Sequence, residues 1–164
     1  MISFKEASLT DVKLIRDLAK ISWQSAYQQI LSQDQIDYML AEMYSVREIS
    51  SQLNHPDYHY FLIFKDDNPV GFLGYENHYD ESTTKLHRLY LLPETQGKGV
   101  GKDALNFIKK KVSESGDRKI ILAVNKNNKA RKVYESQGFS VYEDAVVDIG
   151  NGFVMDDFLM EYHL

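Results

Sequence analysis

Apolar residues change their spacing several times along this chain, and each change marks an element. Ile2 to Glu6 reads as a first strand. From Val12 the spacing turns helical: Val12, Ile15, Leu18, Ala19 and Ser22 share one face, running on towards Tyr27. Thr10 is placed to cap this helix, with Asp11 in its first turn. Helical stretches over about Gln33 to Met43 and Val46 to Leu53 follow, and Pro56 closes the region. His59 to Lys65 and Val70 to His78 read as paired strands about the turn Asp66-Asp67-Asn68-Pro69. The next strand ends at Leu92, because Pro93 cannot donate to a ladder. Val100, Ala104, Leu105, Ile108 and Val112 then line one side of a helix that Gly116 stops. Lys119 to Val124 is a strand, and a short helix spans Ala130 and Tyr134. A strand from Phe139 to about Asp148, a hairpin at Gly150-Asn151-Gly152 and a strand over Phe153 to Tyr162 complete the chain. The order β–α–α–α–β–β–β–α–β–α–β–β predicts an α/β (α+β) class and, at 164 residues, one domain over 1–164.

Composition narrows the function classes. With 43% hydrophobic residues the chain can build a core. A net charge of −5 argues against general nucleic-acid affinity. The longest apolar run, Tyr60 to Phe64, is too short to span a bilayer, and the sequence opens with no charged-then-apolar leader. No cysteine is present, hence no disulfide, thiolate nucleophile or Cys-based metal site. His55 and His59 are four apart, but Pro56 breaks the helix that a metal pair would need, so no metal site is expected. The expectation is a cytoplasmic protein without membrane or nucleic-acid partners.

The stretch Gln96-Gly97-Lys98-Gly99-Val100-Gly101 carries the most chemistry. It joins a strand to a helix, where free amides and the helix dipole favour a phosphate. A nucleotide P-loop fails at both ends: Gln96 stands where its first glycine belongs and Asp103 where its Ser or Thr belongs. The dinucleotide fingerprint fails because Lys102 replaces its third glycine. The pattern [QR]-x-x-G-x-[GA] is met in full by Gln96, Gly99 and Gly101. Farther on comes Asn127-x-x-Ala130-x-x-x-Tyr134-x-x-x-Gly138-Phe139. Ala130 and Tyr134 share a helix face, and Gly138 sits where a left-handed residue ends a helix. A glycine-rich connection and a half-buried core tyrosine are the structural alternatives.

The two segments together resemble the signature of the GNAT (GCN5-related N-acetyltransferase) family, and the element order matches over essentially the whole chain. The N-terminal part, Trp23-Gln24-Ser25-Ala26-Tyr27 through Asp37-Tyr38-Met39-Leu40, is similar to bacterial small-molecule members and loosely to polyamine acetyltransferases. The resemblance implies a mixed, mostly antiparallel central sheet with helices on both faces. It implies acetyl-CoA as donor and an amine of a small molecule or peptide as acceptor, attacking directly in a ternary complex. The backbone at Leu89, Tyr90 and Leu91 would pair with the pantetheine arm, with the Leu91 N–H polarising the thioester carbonyl. Gly97, Lys98, Gly99, Val100, Gly101 and Lys102, after Gln96, would cradle the pyrophosphate. Asn127 would hydrogen-bond the cofactor arm, unless a one-residue shorter loop hands that contact to Asn128. Tyr134 would protonate the departing thiolate. Some members carry a glutamate base on the fifth strand; Ala123 falls there in this chain, leaving Glu76 or His87 as a base, directly or through water.

Other features have two readings each. Asp156, Asp157 and Glu161 would attract a cationic substrate or form a solvated strand face. Trp23, Tyr27, Tyr38 and Tyr44 would wall an acceptor pocket or pack the core. On the last strand Val154, Phe158 and Met160 alternate with Met155 and Leu159, so both faces need cover, from a helix of this chain or from a homodimer partner. Two function classes stand: a catalytic N-acetyltransferase, favoured by Tyr134, and a non-catalytic acyl-CoA-binding module, favoured by the missing glutamate at Ala123.

Overall fold

The chain runs β1 (Ile2–Glu6), α1 (Val12–Tyr27), α2 (Gln33–Met43), α3 (Val46–Leu53), β2 (Tyr58–Lys65), β3 (Asn68–Asp80), β4 (Thr83–Leu91), α4 (Val100–Ser115), β5 (Lys119–Asn125), α5 (Ala130–Ser136), β6 (Ser140–Gly150) and β7 (Phe153–His163). The computed structural model describes residues 1–164. One sheet takes all seven strands in the order β1-β2-β3-β4-β5-β7-β6. Every pair is antiparallel except β4 with β5. The expected element order and mixed sheet are what the structure contains.

Each face of the sheet has its own core. On one face α4 contributes Val100, Ala104, Leu105, Ile108 and Val112, and α5 contributes Tyr134, against Phe61, Ile63, Leu73 and Ile120. On the other, Ile15, Leu18, Ala19 and Trp23 of α1 and Ile36, Met39 and Ile49 of α2 and α3 cover Tyr60, Leu62 and Phe72. Alternate residues of β2 thus serve opposite cores, as the two-residue period of a strand requires. Cover on both faces is why β3 is buried without a break from Val70 to Tyr75.

Caps follow the sequence closely at α2 and α3. Ser32 Oγ accepts the Gln35 amide at 3.1 Å, and Ser45 Oγ accepts the Glu48 amide at 3.0 Å. The start of α1 differs from expectation. A 3₁₀ turn over Leu9–Asp11 precedes it, and the Asp11 carboxylate accepts the Ser8 amide at 2.9 Å. Ser8 therefore caps the 3₁₀ turn, Asp11 takes the cap position of α1, and Thr10 only shares a hydroxyl contact with Ser8 at 2.8 Å.

The last strand takes one of its two readings. β7 lies between β5 and β6, so β6 is the sheet edge. Met160 is buried in the α4 core and Met155 in the α1–α3 core, and both faces of β7 find cover in the same chain. Val154 is half exposed on the α4 side of the sheet, while on the other face α2 reaches the hairpin, with Gln35 Nε2 donating to Val154 O at 2.8 Å. Of the two sources of cover that the sequence left open, helices of this chain supply it at Met155 and Met160.

Asp117, between α4 and β5, ties the ends of three strands together. Its buried carboxylate accepts the His78 amide at 2.8 Å, His78 Nδ1 at 2.8 Å and the Thr84 hydroxyl at 2.7 Å. Burial pushes its pKa up, but these bonds outweigh burial and leave it below the ordinary carboxylate value. The ionised form is the stabilised one, so its contribution is present above the unfolded-state pKa and is lost as pH falls through the folded one. Asp117→Ala should lower unfolding free energy by about 2–4 kcal/mol at neutral pH. In urea titrations the gap between the two proteins should narrow from about pH 5 to pH 2; a constant gap would contradict the assignment.

Candidate active site

The site begins as a parting in the sheet. β4 and β5 pair only over Thr83–Leu86 against Lys119–Leu122. Against β3, Gly74 pairs with Arg88 and Tyr75 with Leu86, which leaves His87 as an extra residue. Such a bulge bends its strand and sharpens the twist, and from that point β4 leaves β5. Leu92 N–H donates to Val70 O across β3 at 2.8 Å. Amides alternate in direction along a strand, so Tyr90 points its N–H at β3 while Leu89 and Leu91 aim theirs at the opening. The strand edge from Leu89 to Leu91 is therefore free to pair with an extended ligand. Of the three backbone positions the sequence marked here, Tyr90 is the one whose amide faces away.

A cavity of about 970 Å³ fills the parting. Its walls include Leu89, Tyr90 and Leu91 from β4 and Ala123 from β5, with Asn127 and Tyr134 beyond. Gln96, Gly97, Gly99, Val100, Gly101 and Lys102 line the same cavity. Lys98 does not; it faces a shallower depression of about 500 Å³ beside Lys65 and Glu94. Gly97 and Gly99 have φ of 77° and 79°, a region that side chains resist. A Cβ at either would meet no protein atom within 4 Å, so the space beyond them is open to an incoming group. Gly99 caps α4, and no side chain bonds the first-turn amides. A sixteen-residue helix thus presents bare N–H groups to the cavity.

Tyr134 sits in the cavity wall, 7% exposed, with no hydrogen-bond partner for its hydroxyl. Burial first, and the neighbouring Tyr27 second, push its phenol well above the ordinary value, so it stays protonated at working pH. The end of α5 holds it in place. Gly138 adopts φ 94°, and Phe139 N–H returns to Tyr134 O at 3.0 Å. The two asparagines separate cleanly. Asn128 Oδ1 accepts the Ala130 amide at 2.9 Å and its Nδ2 donates to Tyr27 Oη at 3.3 Å. The Asn127 side chain has no protein partner and lines the cavity, so it is the one free to meet a ligand.

His87 and Glu76 form a pair, with Nε2 and Oε1 3.0 Å apart. His87 lines the cavity and Glu76 does not. The carboxylate thus stands behind the imidazole and is not itself at the reacting point. Burial pushes His87 down to about 4, against the upward pull of Glu76, so the ring is neutral at pH 7. Its Nδ1 has no protein partner. Arg88, next in the bulge, points away: its guanidinium lies 4.2 Å from the Tyr44 ring and donates to Met43 O at 3.0 Å.

Sequence reading missed part of the wall. Ser22, Ser25, Ala26 and Gln29 of α1 and the following turn line the cavity, at spacings of one helix face. Of the four aromatic residues read as pocket wall or core, Tyr27 lines the cavity, while Trp23, Tyr38 and Tyr44 do not and belong to the α1–α3 core. Tyr27 Oη and Tyr90 Oη are 3.0 Å apart, and with Asn128 they tie α1, β4 and the β5–α5 loop together around the opening. No local pattern marks a contact between residues 63 apart.

Comparison with known proteins agrees with this geometry. Residues 14–139 match the model of the acetyltransferase (GNAT) family. A spermidine N(1)-acetyltransferase of Thermoplasma acidophilum is 29% identical, over 98% of this chain and 96% of that protein. The acetyltransferase PseH of Campylobacter jejuni is 34% identical over 52% of this chain and 53% of its own length. Among solved structures, a PaiA N-acetyltransferase from Thermoplasma acidophilum in complex with coenzyme A superposes with a TM-score of 0.85, at 25% identity, covering all of this chain and 99% of that one. A Rhodopseudomonas palustris protein of 16% identity shares the fold, with a TM-score of 0.83 over 99% of this chain and 95% of its own. The bulged strand, the parted sheet, the uncapped helix and the family match lead to one conclusion: the chain belongs to the GNAT family of acetyltransferases.

Proposed function

We propose that this chain moves an acetyl group from acetyl-CoA to a primary amine of a small molecule or peptide, by direct attack in a ternary complex. The observation that carries the reading is the convergence on one cavity of three features. These are the open amides of α4, the unpaired edge of β4 and the unpartnered Tyr134 hydroxyl. Relatives named as a spermidine acetyltransferase and as a coenzyme A complex support it. A binding module without catalysis has no use for a free phenol at the end of such a cavity.

The residues fit the donor. The pyrophosphate would lie at Gly97–Lys102, against the first-turn amides and the Lys102 charge. The pantetheine arm would extend along Leu89–Leu91, with Asn127 on its other side. Acetyl-CoA supplies an activated acyl carbon and a thiolate leaving group. The Leu89 and Leu91 amides are about 7 Å apart along the strand, so one would polarise the acyl oxygen, worth roughly a few kcal/mol, while the other pairs with the pantetheine arm. Tyr134 would hand its proton to the thiolate; the burial that weakens the phenol as an acid also strengthens the thiolate as a base, so the two stay matched. His87, oriented by Glu76, would take the amine proton through Nδ1. An amine nitrogen becomes far more acidic as it bonds to an acyl carbon, so a weakly basic imidazole suffices.

Three outcomes test these roles. Gly99→Val forces a side chain into a left-handed position facing the phosphate site, and calorimetry should show coenzyme A affinity reduced at least about tenfold, more than 1.4 kcal/mol. Unchanged affinity in a folded variant would remove the loop from the site. Tyr134→Phe should lower the single-turnover rate by about tenfold or more, within the range for general acids, with the KM for acetyl-CoA nearly unchanged. The ratio of wild-type to variant rates should stay level from pH 6 to pH 10, because the phenol is raised and does not ionise there. A rate equal to wild type with an active acceptor would return Tyr134 to a packing role. His87→Ala should cost about 10²-fold in kcat. Adding Glu76→Gln to it should cost little more, because Glu76 acts through the imidazole; additive losses would give the carboxylate a role of its own.

A further inference from the structure

The His87 imidazole is held by two tyrosines as well as by Glu76. The Tyr58 ring stacks on it, with centroids 5.1 Å apart and planes 17° from parallel. The Tyr79 ring meets it edge-on, at 5.8 Å and 79°. Glu76 Oε1 fixes Nε2 at 3.0 Å. One contact sets the plane of the imidazole, one covers its outer edge, and one sets which nitrogen faces inward.

A regular sheet would supply neither tyrosine. Tyr58 is on β2 and His87 on β4, with β3 between them. The β3 residue in the way is Gly74, which pairs with Tyr60 on one side and Arg88 on the other. A Cβ there would lie 3.2 Å from the Tyr58 ring and 3.3 Å from the Tyr60 ring. Glycine thus lets Tyr58 lie across the strand, where Arg88 Nε donates to its hydroxyl at 3.4 Å. Tyr79 arrives by another irregularity. Glu76 and Tyr79 would fall on opposite faces of a regular strand. Here the pairing of β3 with β4 slips between Glu76 and Asp80, and His78 takes a φ of 57°. The slip brings Tyr79 to the face of Glu76, where Lys85 Nζ lies 4.9 Å from its ring. A left-handed residue other than glycine is strained and persists only where its surroundings impose it. The buried Asp117 carboxylate imposes it, taking the His78 amide and Nδ1 at 2.8 Å each.

We propose that Tyr58 and Tyr79 are positioning residues for the base: together they clamp the His87 imidazole, keep its outer edge dry and hold Nδ1 towards the acceptor amine. This rests on the acetyl-transfer reading above and adds two residues to it. Five groups face the ring. From β3 come the Glu76 carboxylate and the Tyr79 phenol, from β2 the Tyr58 phenol, and from β4 itself the Lys85 and Arg88 cations. Glu76 favours the imidazolium; the two cations oppose it, and burial opposes it most. The clamp supplies part of that burial, so it favours the neutral ring, the form that accepts a proton. The bare position at Gly74 and the strained one at His78 are the backbone conditions for it.

Histidine titration followed by NMR tests the clamp without any turnover. The spectrum of His87→Ala identifies the His87 signal among the five histidines. Its midpoint in wild type should lie near 4. Tyr79→Ala removes a half-exposed ring, so the fold should hold, and the midpoint should climb by about one pH unit or more as water reaches the imidazole. Tyr58→Leu should do the same. Tyr58→Phe restores the stack and should keep the midpoint within about half a unit of wild type. With butane-1,4-diamine as acceptor, Tyr79→Ala and Tyr58→Leu should each lower kcat about tenfold, leave the KM for acetyl-CoA within about twofold, and move the acid limb of the kcat profile up with the midpoint. In a His87→Ala background the same changes should cost less than about twofold, because the rings act through the imidazole. A midpoint that stays at the wild-type value in both Tyr79→Ala and Tyr58→Leu overturns the clamp. A midpoint that climbs while kcat and its acid limb stay in place supports the clamp and overturns His87 as the base.

Discussion

One extra residue in β4 governs this molecule. Where His87 bulges out of register with β3, the strand bends, and its parallel ladder with β5 ends at Leu86 and Leu122. A continuous sheet would have every central amide paired and no room between strands. Here the Leu89 and Leu91 amides are freed at the middle of a buried sheet, where an unpaired amide is costly unless a ligand or water completes it. The bulge therefore makes a ligand slot out of what would otherwise be core. It also turns His87 and Arg88 to the same face of the sheet, the first towards the cavity and the second beneath the end of α2.

The rest of the fold keeps that parting open and shaped. Each side of the sheet carries its own core, so the separation of β4 and β5 does not divide the molecule. Trp23 Nε1 donates to Tyr44 Oη at 3.1 Å, and Tyr44 in turn receives the Arg88 guanidinium on its ring. Tyr27, Tyr90 and Asn128 close the α1 side with a chain of hydrogen bonds. On the α4 side, Lys109 Nζ donates to Gln137 O at 2.6 Å and braces the end of the helix that carries Tyr134. These polar groups sit among apolar neighbours and are satisfied by one another, which gives the wall a defined geometry that packing alone would leave looser.

Two buried side-chain atoms without a hydrogen-bond partner, Arg88 Nη1 and Asp157 Oδ1, stand out against this background. The arginine has three other contacts to offset its burial, and its place under the carbonyl end of α2 favours a cation. The aspartate has none, and it lies beside the open part of β5.

Much of this was legible in the residues themselves. The helix and strand periods located all twelve elements, since each element must turn an apolar face to a core that the chain itself makes. The glycine loop was legible because positive φ and close approach by a ligand both demand glycine, whereas Tyr134 was singled out by the resemblance of Asn127 to Phe139 to the family signature, since helix spacing alone also fits a core tyrosine. Other features depended on tertiary structure. Thr10 was expected to cap α1, but the extra 3₁₀ turn puts Asp11 at that position and Ser8 at the start of the turn. The cover over β7 is a matter of strand order, which local pattern does not encode. From the sequence Glu76 was the first candidate base and His87 the second, until the fold set the carboxylate behind the ring. The same holds for Asn127 and Asn128, for the amide direction at Tyr90, and for the place of Asp157 beside Ala123. Periodicity and backbone conformation are local constraints, written in neighbouring residues; register, bulge and cross-sheet contact join residues far apart in the chain, and only the folded structure brings them together.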